Sequence, residues 1–246
     1  MRRGYTDIHH HILSGMDDGA QNSKEMHAML RRAADDGIVR IVATPHVTPG
    51  VERFDRERYD RVLEEAREYC EEKRIPIDLY GGAEILYTNQ TCRFLEEGRV
   101  PTMAGTEYVL VEFSPDIRYE RLIAALTDIL RCGFLPIVAH VERYHCLTRH
   151  PARLREIKHE LDVCYQVNCG TIIKQRDVLT RRFIKKILDW DLLDVLGTDS
   201  HHAEVTRTAN MREAWLTLKQ EFGGGYANEL TDGHLLFGDM QNQKRG

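Results

Sequence analysis

No stretch of this sequence approaches the roughly 18 uncharged apolar residues that a membrane-spanning helix needs. The opening MRRGYTDIHHHIL carries two arginines but no apolar run of signal-peptide length, so a cytoplasmic chain without direct membrane insertion is expected. An excess of positive charge is also missing. Its 34 basic and 39 acidic residues are interspersed, for a formal charge of −5, and leave no basic stripe to neutralise a nucleic-acid backbone. The cysteines Cys70, Cys92, Cys132, Cys146, Cys164 and Cys169 form no CxxC pair and no compact framework, which fits reduced thiols. None is followed six positions later by arginine; Pro76, Gly98, Val138, Ala152, Gly170 and Gln175 stand there. That spacing excludes the thiolate-and-arginine device of cysteine-dependent phosphate chemistry. Pro/Ser-rich linkers, repeats and low-complexity blocks are absent, so one domain over 1–246 is expected, with a loosely packed tail after Phe222.

What is present is alternation. Short β-rich runs at 5–9, 38–44, 77–83, 108–113, 135–140, 163–168 and 194–198 are separated by amphipathic, charge-laced segments near 22–36, 54–74, 118–132, 151–160, 177–189 and 204–221. Apolar residues recur at three- and four-residue spacing in the latter, the pattern of βα units around a parallel sheet. At 246 residues and 42% hydrophobic content, a closed or nearly closed barrel with outer helices fits best. The alternative is a doubly wound open sheet.

Metal-type side chains collect at one end of these strands. His9 and His11 close the first, and because strand side chains alternate, residues two apart face the same way while His10 points elsewhere. Strand two ends at His46 in ATPHV, strand three runs into Glu84, strand four ends at Glu112, strand five at His140, and strand seven at Asp199 and His201, again two apart. The MDDG turn after strand one adds Asp18; Asp17 is its rival, since adjacent acids in a glycine-bounded turn are not separable without geometry. Burying such groups unpartnered costs several kcal/mol each, so a shared rim implies cations. Nitrogen and oxygen donors without thiolate suit manganese, iron, zinc or magnesium. So many donors exceed the needs of one ion, and a bridging carboxylate such as Glu84 would hold two or three cations about 3.5–4 Å apart, the arrangement that activates a hydroxide for in-line phosphoryl displacement. Arg143 and Arg207, just beyond strand ends, are candidates to grip phosphate oxygens. Asp7 is expected to orient a ligand imidazole, and His27, His145, His150, His159, His202 and His234 to be structural or exposed.

The blocks DIHHHILSGMDDG, ATPH, GGAEILYT, LVEF, VAHVERY and GTDSH, in this order, resemble the manganese-dependent bacterial protein tyrosine phosphatases of capsule and exopolysaccharide loci, a branch of the PHP (polymerase and histidinol phosphatase) superfamily. The resemblance runs from about Tyr5 to about Arg207. It implies an α/β fold of the distorted (β/α)7 TIM-like, PHP type, and a trinuclear Mn²⁺ cluster on His9, His11, Asp18, His46, Glu84, Glu112, His140, Asp199 and His201, with Arg143 and Arg207 at the phosphate-contacting positions. It implies as substrate a phosphotyrosine protein, the tail of a bacterial tyrosine autokinase controlling polysaccharide export. The chain departs from the family pattern at Ser14, in the segment HAEVTRTANM after His201, and in a tail without an Asn-Pro motif.

Three rivals are set against this reading. A small-molecule phosphatase, such as one for histidinol phosphate, would use the same scaffold and metals. A metal-dependent amidohydrolase also opens with HxH, but Glu112 stands where its bridging lysine belongs. A catalytically silent module that binds the kinase has no reason to keep nine costly polar groups together.

Overall fold

The computed structural model describes residues 4–51, 53–175, 177–204 and 206–243. All its strand pairings are parallel. Strand β1 (Tyr5–His10) pairs with β2 (Ile38–Ala43), which pairs with β4 (Asp78–Gly81). A second run follows the order β3 (His46–Val47), β5 (Glu84–Leu86), β6 (Tyr108–Glu112), β7 (Leu135–Val138), β8 (Cys164–Asn168) and β9 (Val195–Gly197).

The predicted strands 38–44 and 77–83 thus each stop near their C-terminal end and resume as a short strand just beyond it, giving seven barrel positions from nine strands among the described residues. Pro45 has no N–H to offer the ladder after Ala43, although its carbonyl still accepts from Glu84 N at 3.1 Å. Gly82 leaves the ladder because both its backbone groups bond the Tyr59 hydroxyl, at 2.8 and 3.0 Å. Between the two ends of the curled sheet, Asp199 N donates to His9 O at 2.8 Å and His11 N to Ser200 O at 2.9 Å, which brings β9 against β1. These bonds make the nearly closed barrel that the alternation predicted, of the distorted (β/α)7 kind that the resemblance implied, rather than an open doubly wound sheet.

Helices α1 (Ser23–Asp35), α2 (Arg56–Lys73), α4 (Tyr119–Arg131), α6 (Ala152–Glu160) and α8 (Val178–Asp189) lie where the apolar spacing placed them. Asn22, Asp55 and Asp177 cap α1, α2 and α8 by accepting backbone N–H bonds from the first turn. Short helices α3 (Thr91–Glu96), α5 (His145–Thr148) and α7 (Cys169–Ile173) were not expected, being too brief to show a helical period. The sixth predicted helix, 204–221, is corrected to α9 (Met211–Phe222). Arg207 sits in the left-handed region at φ 49° and its carbonyl accepts from His201 N at 2.8 Å, which holds this part of the segment as a loop.

The expected loose tail is also corrected for the residues described. Ala227 on α10 (Gly224–Glu229), Leu230 after it, and Leu236 and Phe237 on α11 (His234–Gln243) are buried. Leu196 N donates to Leu230 O at 2.9 Å and Thr6 N to Thr231 O at 2.8 Å, tying the tail to two barrel strands. Leu236 and Phe237 join Ile8, Val42, Leu110, Ile137 and Val195 in an apolar cluster distinct from the larger helix–sheet core. A register shift in β1 between Asp7 and His10 lets Ile8 join that cluster while His9 and His11 join the polar rim.

Candidate metal centre

The ligand-type side chains converge at the C-terminal rim. Their atoms fall into three overlapping cradles, each with donors within 4.8 Å of one another: His11, Asp18, His46 and His201; His9, His11, Glu84 and Asp199; and His46, Glu84 and Glu112. His11 belongs to the first two cradles, Glu84 to the last two, and His46 to the first and third. Glu84, 1% exposed, is the hub. Its Oε2 lies 3.0, 3.2 and 3.1 Å from His9 Nε2, His11 Nε2 and His46 Nδ1. Its Oε1 lies 2.7 Å from His140 Nε2. Glu112 approaches His46 at 3.3 Å and His140 at 3.7 Å. All nine predicted ligands are therefore brought together.

Cations fit this donor set. The Nε2 atoms of His9 and His11 face one another at 3.2 Å, and at least one needs a proton or a cation between them. Glu84 Oε2 and His201 Nε2 are buried, and their short approaches to the imidazoles and to Asp18 lack the angles of hydrogen bonds, as lone pairs aimed at a shared cation would. Burial alone would raise the Glu84 carboxyl, yet His9, His11 and His140 hold it well below its usual range. Burial would likewise raise Asp199, which His9, His11 and Arg143 pull far down. On the imidazoles burial acts the other way but is overcome: Asp17, Asp199 and Glu84 lift His11 well above its ordinary value, and Glu84 and Asp199 lift His9. The carboxylates and imidazoles thus stabilise one another's charged forms, and so much negative charge gathered on a buried carboxylate pair suits divalent cations.

The two acids of the turn are separated by geometry. Asp17 Oδ2 bonds His11 Nδ1 at 2.7 Å and accepts His46 N at 3.0 Å, and the His11 contact brings its pKa down to about 2 against the opposing effect of burial. Asp18 is the one that faces the cluster, with Oδ1 3.1 Å from His201 Nε2 and 3.5 Å from His46 Nε2. Asp18, 64% exposed, marks the open side of the site.

Arg143 and Arg207 meet on one carboxylate. Arg143 Nη2 contacts Asp199 Oδ2, and Arg207 Nη2 lies 2.6 Å from Asp199 Oδ1. Both guanidinium groups keep about 40% of their side-chain surface open, leaving donors for an incoming anion. His140, Asp199 and Arg207 all have positive φ, of 34°, 52° and 49°. Such strain on residues other than glycine is typical of sites whose surroundings fix an otherwise unfavourable geometry.

Asp7 does not orient an imidazole as expected. It accepts from His9 N at 3.2 Å and from Thr198 N and Oγ1 at 2.9 and 2.5 Å, pinning the backbones of β1 and the β9 loop together. Burial pushes its carboxyl up to about 6, against those bonds. As His11 is oriented by Asp17, His9 is oriented instead by Gln166, which the motifs did not single out. Its Oε1 meets His9 Nδ1 at 3.2 Å and accepts His140 N at 2.8 Å; its Nε2 donates to Asn168 Oδ1, whose Nδ2 donates to Asp199 Oδ2, both at 2.8 Å. Polar residues two apart at the end of an otherwise apolar strand were the available signal. Gly197 makes room for this arrangement, since a Cβ there would lie 2.6 Å from His9 Cβ. His10 is fully buried outside the three cradles; burial, with His11 and His201 nearby, brings its pKa down to about 3.

Comparisons with known proteins agree with this picture. Residues 5–233 match the family described as capsular polysaccharide synthesis, CpsB/CapC. Over 231 residues the chain is 32% identical to the tyrosine-protein phosphatase CpsB of Streptococcus pneumoniae, covering 91% of this chain and 93% of that one. It superposes with a TM-score of 0.83 and 27% identity, over 92% of this chain and 90% of the other, on a solved structure from work on Bacillus subtilis YwqE and S. pneumoniae CpsB, described as unique metal-dependent tyrosine phosphatases. The fold alone is shared with histidinol phosphate phosphatase of Lactococcus lactis, at TM-score 0.56 and 15% identity over 91% and 94% of the two chains. With 229 consecutive residues on the family pattern (5 to 233 inclusive), this chain belongs to the CpsB/CapC capsular polysaccharide synthesis family.

Proposed function

We propose that this chain is a metal-dependent protein tyrosine phosphatase whose metals are held by His9, His11, Asp18, His46, Glu84, Glu112, His140, Asp199 and His201. The observation that carries the reading is Asp199: one of its oxygens faces the His9–His11–Glu84 cradle, while both arginines bind the same carboxylate. A phosphoryl group seated at the cradle mouth would thus meet Arg143 and Arg207 at once, positioned for bidentate contacts. Divalent cations in the cradles would supply Lewis acidity and an acidified water. Glu84 links two of the cradles, and Gln166 fixes the His9 ring by its Nδ1. Phenolate, with a pKa near 10, leaves without a strong general acid, which favours aryl over alkyl phosphates. Cysteine chemistry is disfavoured, since burial raises Cys70 to about 11 and Cys164 to about 12 and holds Cys169 well above the ordinary thiol value.

The finer reading is Mn²⁺ as the native ion and, as substrate, the phosphotyrosine tail of an autokinase that controls capsular or exopolysaccharide synthesis. No described helix is long and apolar enough to cross a membrane, and six free thiols suit a cytoplasmic setting. The test is a comparison of specificity constants on phosphotyrosine peptide, phosphoserine peptide and histidinol phosphate, before and after chelation and Mn²⁺ return. Chelation should abolish turnover and Mn²⁺ restore it, with the phosphotyrosine peptide preferred. A higher specificity constant for histidinol phosphate would move the chain to the small-molecule reading; activity that survives chelation and dies with iodoacetamide would refute the metal mechanism.

A further inference from the structure

Beside the metal cradles lies a pocket of about 130 Å³ that shares one wall with them. That wall is His46, whose other contacts are with Glu84, Glu112 and Asp18. The remaining described lining comes from the turn holding Gly15, from Val47 and Thr48, and from the loop and first turn of α2 that carry Arg53, Phe54 and Arg58. Arg58 reaches over Gly15 so closely that a Cβ there would sit 2.4 Å from its Nη2, and Gly15 has the positive φ of 66° that lets the turn pass beneath. Both arginines are exposed, and among the described residues neither makes an ion pair. Among the described residues Asp55 is the one carboxylate on the lining, and it caps Arg58 N. Its described lining therefore carries two cations, Arg53 and Arg58, against one anion, next to a site whose proposed substrate is a peptide.

Residues adjacent to a phosphotyrosine in an extended peptide lie about 3–7 Å along the chain from it, so a neighbour of a tyrosine seated at the cradles can reach the pocket. We infer that Arg53 and Arg58 form a subsite for an acidic side chain flanking the phosphotyrosine. The inference rests on the phosphatase reading. Phe54, half-buried and packed on Tyr59 at 5.3 Å between ring centroids, gives the aliphatic part of that side chain an apolar surface. The pocket's mouth makes the selection electrostatic: carboxylates are drawn in and lysines repelled, and the effect weakens as salt screens it.

The Mn²⁺-loaded protein is given three peptides, alike except for Glu, Gln or Lys beside the tyrosine. Each is made with phosphotyrosine for turnover and with a non-hydrolysable phosphonate analogue for fluorescence-anisotropy binding. The Glu peptide should bind about fivefold more tightly than the Gln peptide, the size of an exposed charge pair, and the Lys peptide least well. In the Arg53→Gln/Arg58→Gln protein the Glu-to-Gln ratio should fall to about one, and Arg58→Glu should favour Lys. Ratios are read within each protein, so a general loss of affinity cancels. Equal binding of the three peptides by the unmodified protein, or a preference that survives the double substitution, overturns the subsite. If the binding preference follows the arginines but no peptide is hydrolysed, the subsite stands and the phosphatase reading falls.

Discussion

Gly197→Ala tests whether the cluster depends on the packing beneath it. An alanine Cβ would lie 2.6 Å from His9 Cβ and 3.0 Å from Gln166 Nε2. Carbon atoms in contact settle at about 3.5–4.0 Å, so roughly 1 Å of separation must be found. Neither neighbour is a flexible tip: His9 is on β1 and fully buried, and Gln166 holds His9 Nδ1, His140 N and Asn168 together. Overpacking of this kind costs about 1–3 kcal/mol. At about 2–4 °C per kcal/mol for a chain of this size, the metal-free protein should melt roughly 5 °C lower. Displacing a ligand together with the group that orients it should weaken cation binding about 10- to 100-fold. Mn²⁺ affinity is read by competition with a fluorescent chelator, and stability by thermal melts in excess chelator. Gly170→Ala is the matched control, because its Cβ would meet only Asn210 Nδ2 at 3.7 Å and the residue lies in α7. An affinity for Gly197→Ala within twofold of the unmodified protein would refute the dependence of the site on this close approach.

Glu84→Ala or Asp199→Ala should abolish turnover by opening the cradles, whereas Arg143→Ala should keep the metal content and lose turnover and phosphate affinity; His159→Ala, on α6, is the control, and metal analysis with kinetics on an aryl phosphate would show an error if it proved as damaging as Glu84→Ala. Asp7 gives a pH signature of defined sign: its folded pKa, about 6, lies above the unfolded value of about 3.9, so its contribution favours folding most at low pH and is lost as pH rises from about 4 to 6, by up to about 3 kcal/mol. Urea unfolding of chelated protein should therefore show Asp7→Asn gaining on the unmodified protein across that window, and a difference that does not vary with pH would contradict the burial of an ionisable Asp7.

Much of the site was legible because its information is local. The period-two alternation of a strand tells that His9 and His11, or Asp199 and His201, share a face, and a run such as YVLVE announces both the strand and the acid at its end. Seven such runs separated by helical periods fix the order in which donors arrive at a rim, and in a parallel arrangement every C-terminal strand end points the same way. The break at Gly82 and the docking of Leu236 and Phe237 were not legible, because each depends on a partner remote in the chain, Tyr59 in the first case and the barrel strands in the second. The same holds for what orders the site. Gln166 and His9 are 157 positions apart and Arg143 and Asp199 are 56 apart. A neutral amide at a strand end has no sequence signature of its own, and Asp17 and Asp18 are chemically alike until one turns toward His11 Nδ1 and the other toward His201 Nε2. The sequence by itself determined which donors stand at the strand ends; closure of the barrel decided which of them face one another, because only the folded backbone sets distances between side chains so far apart in the chain.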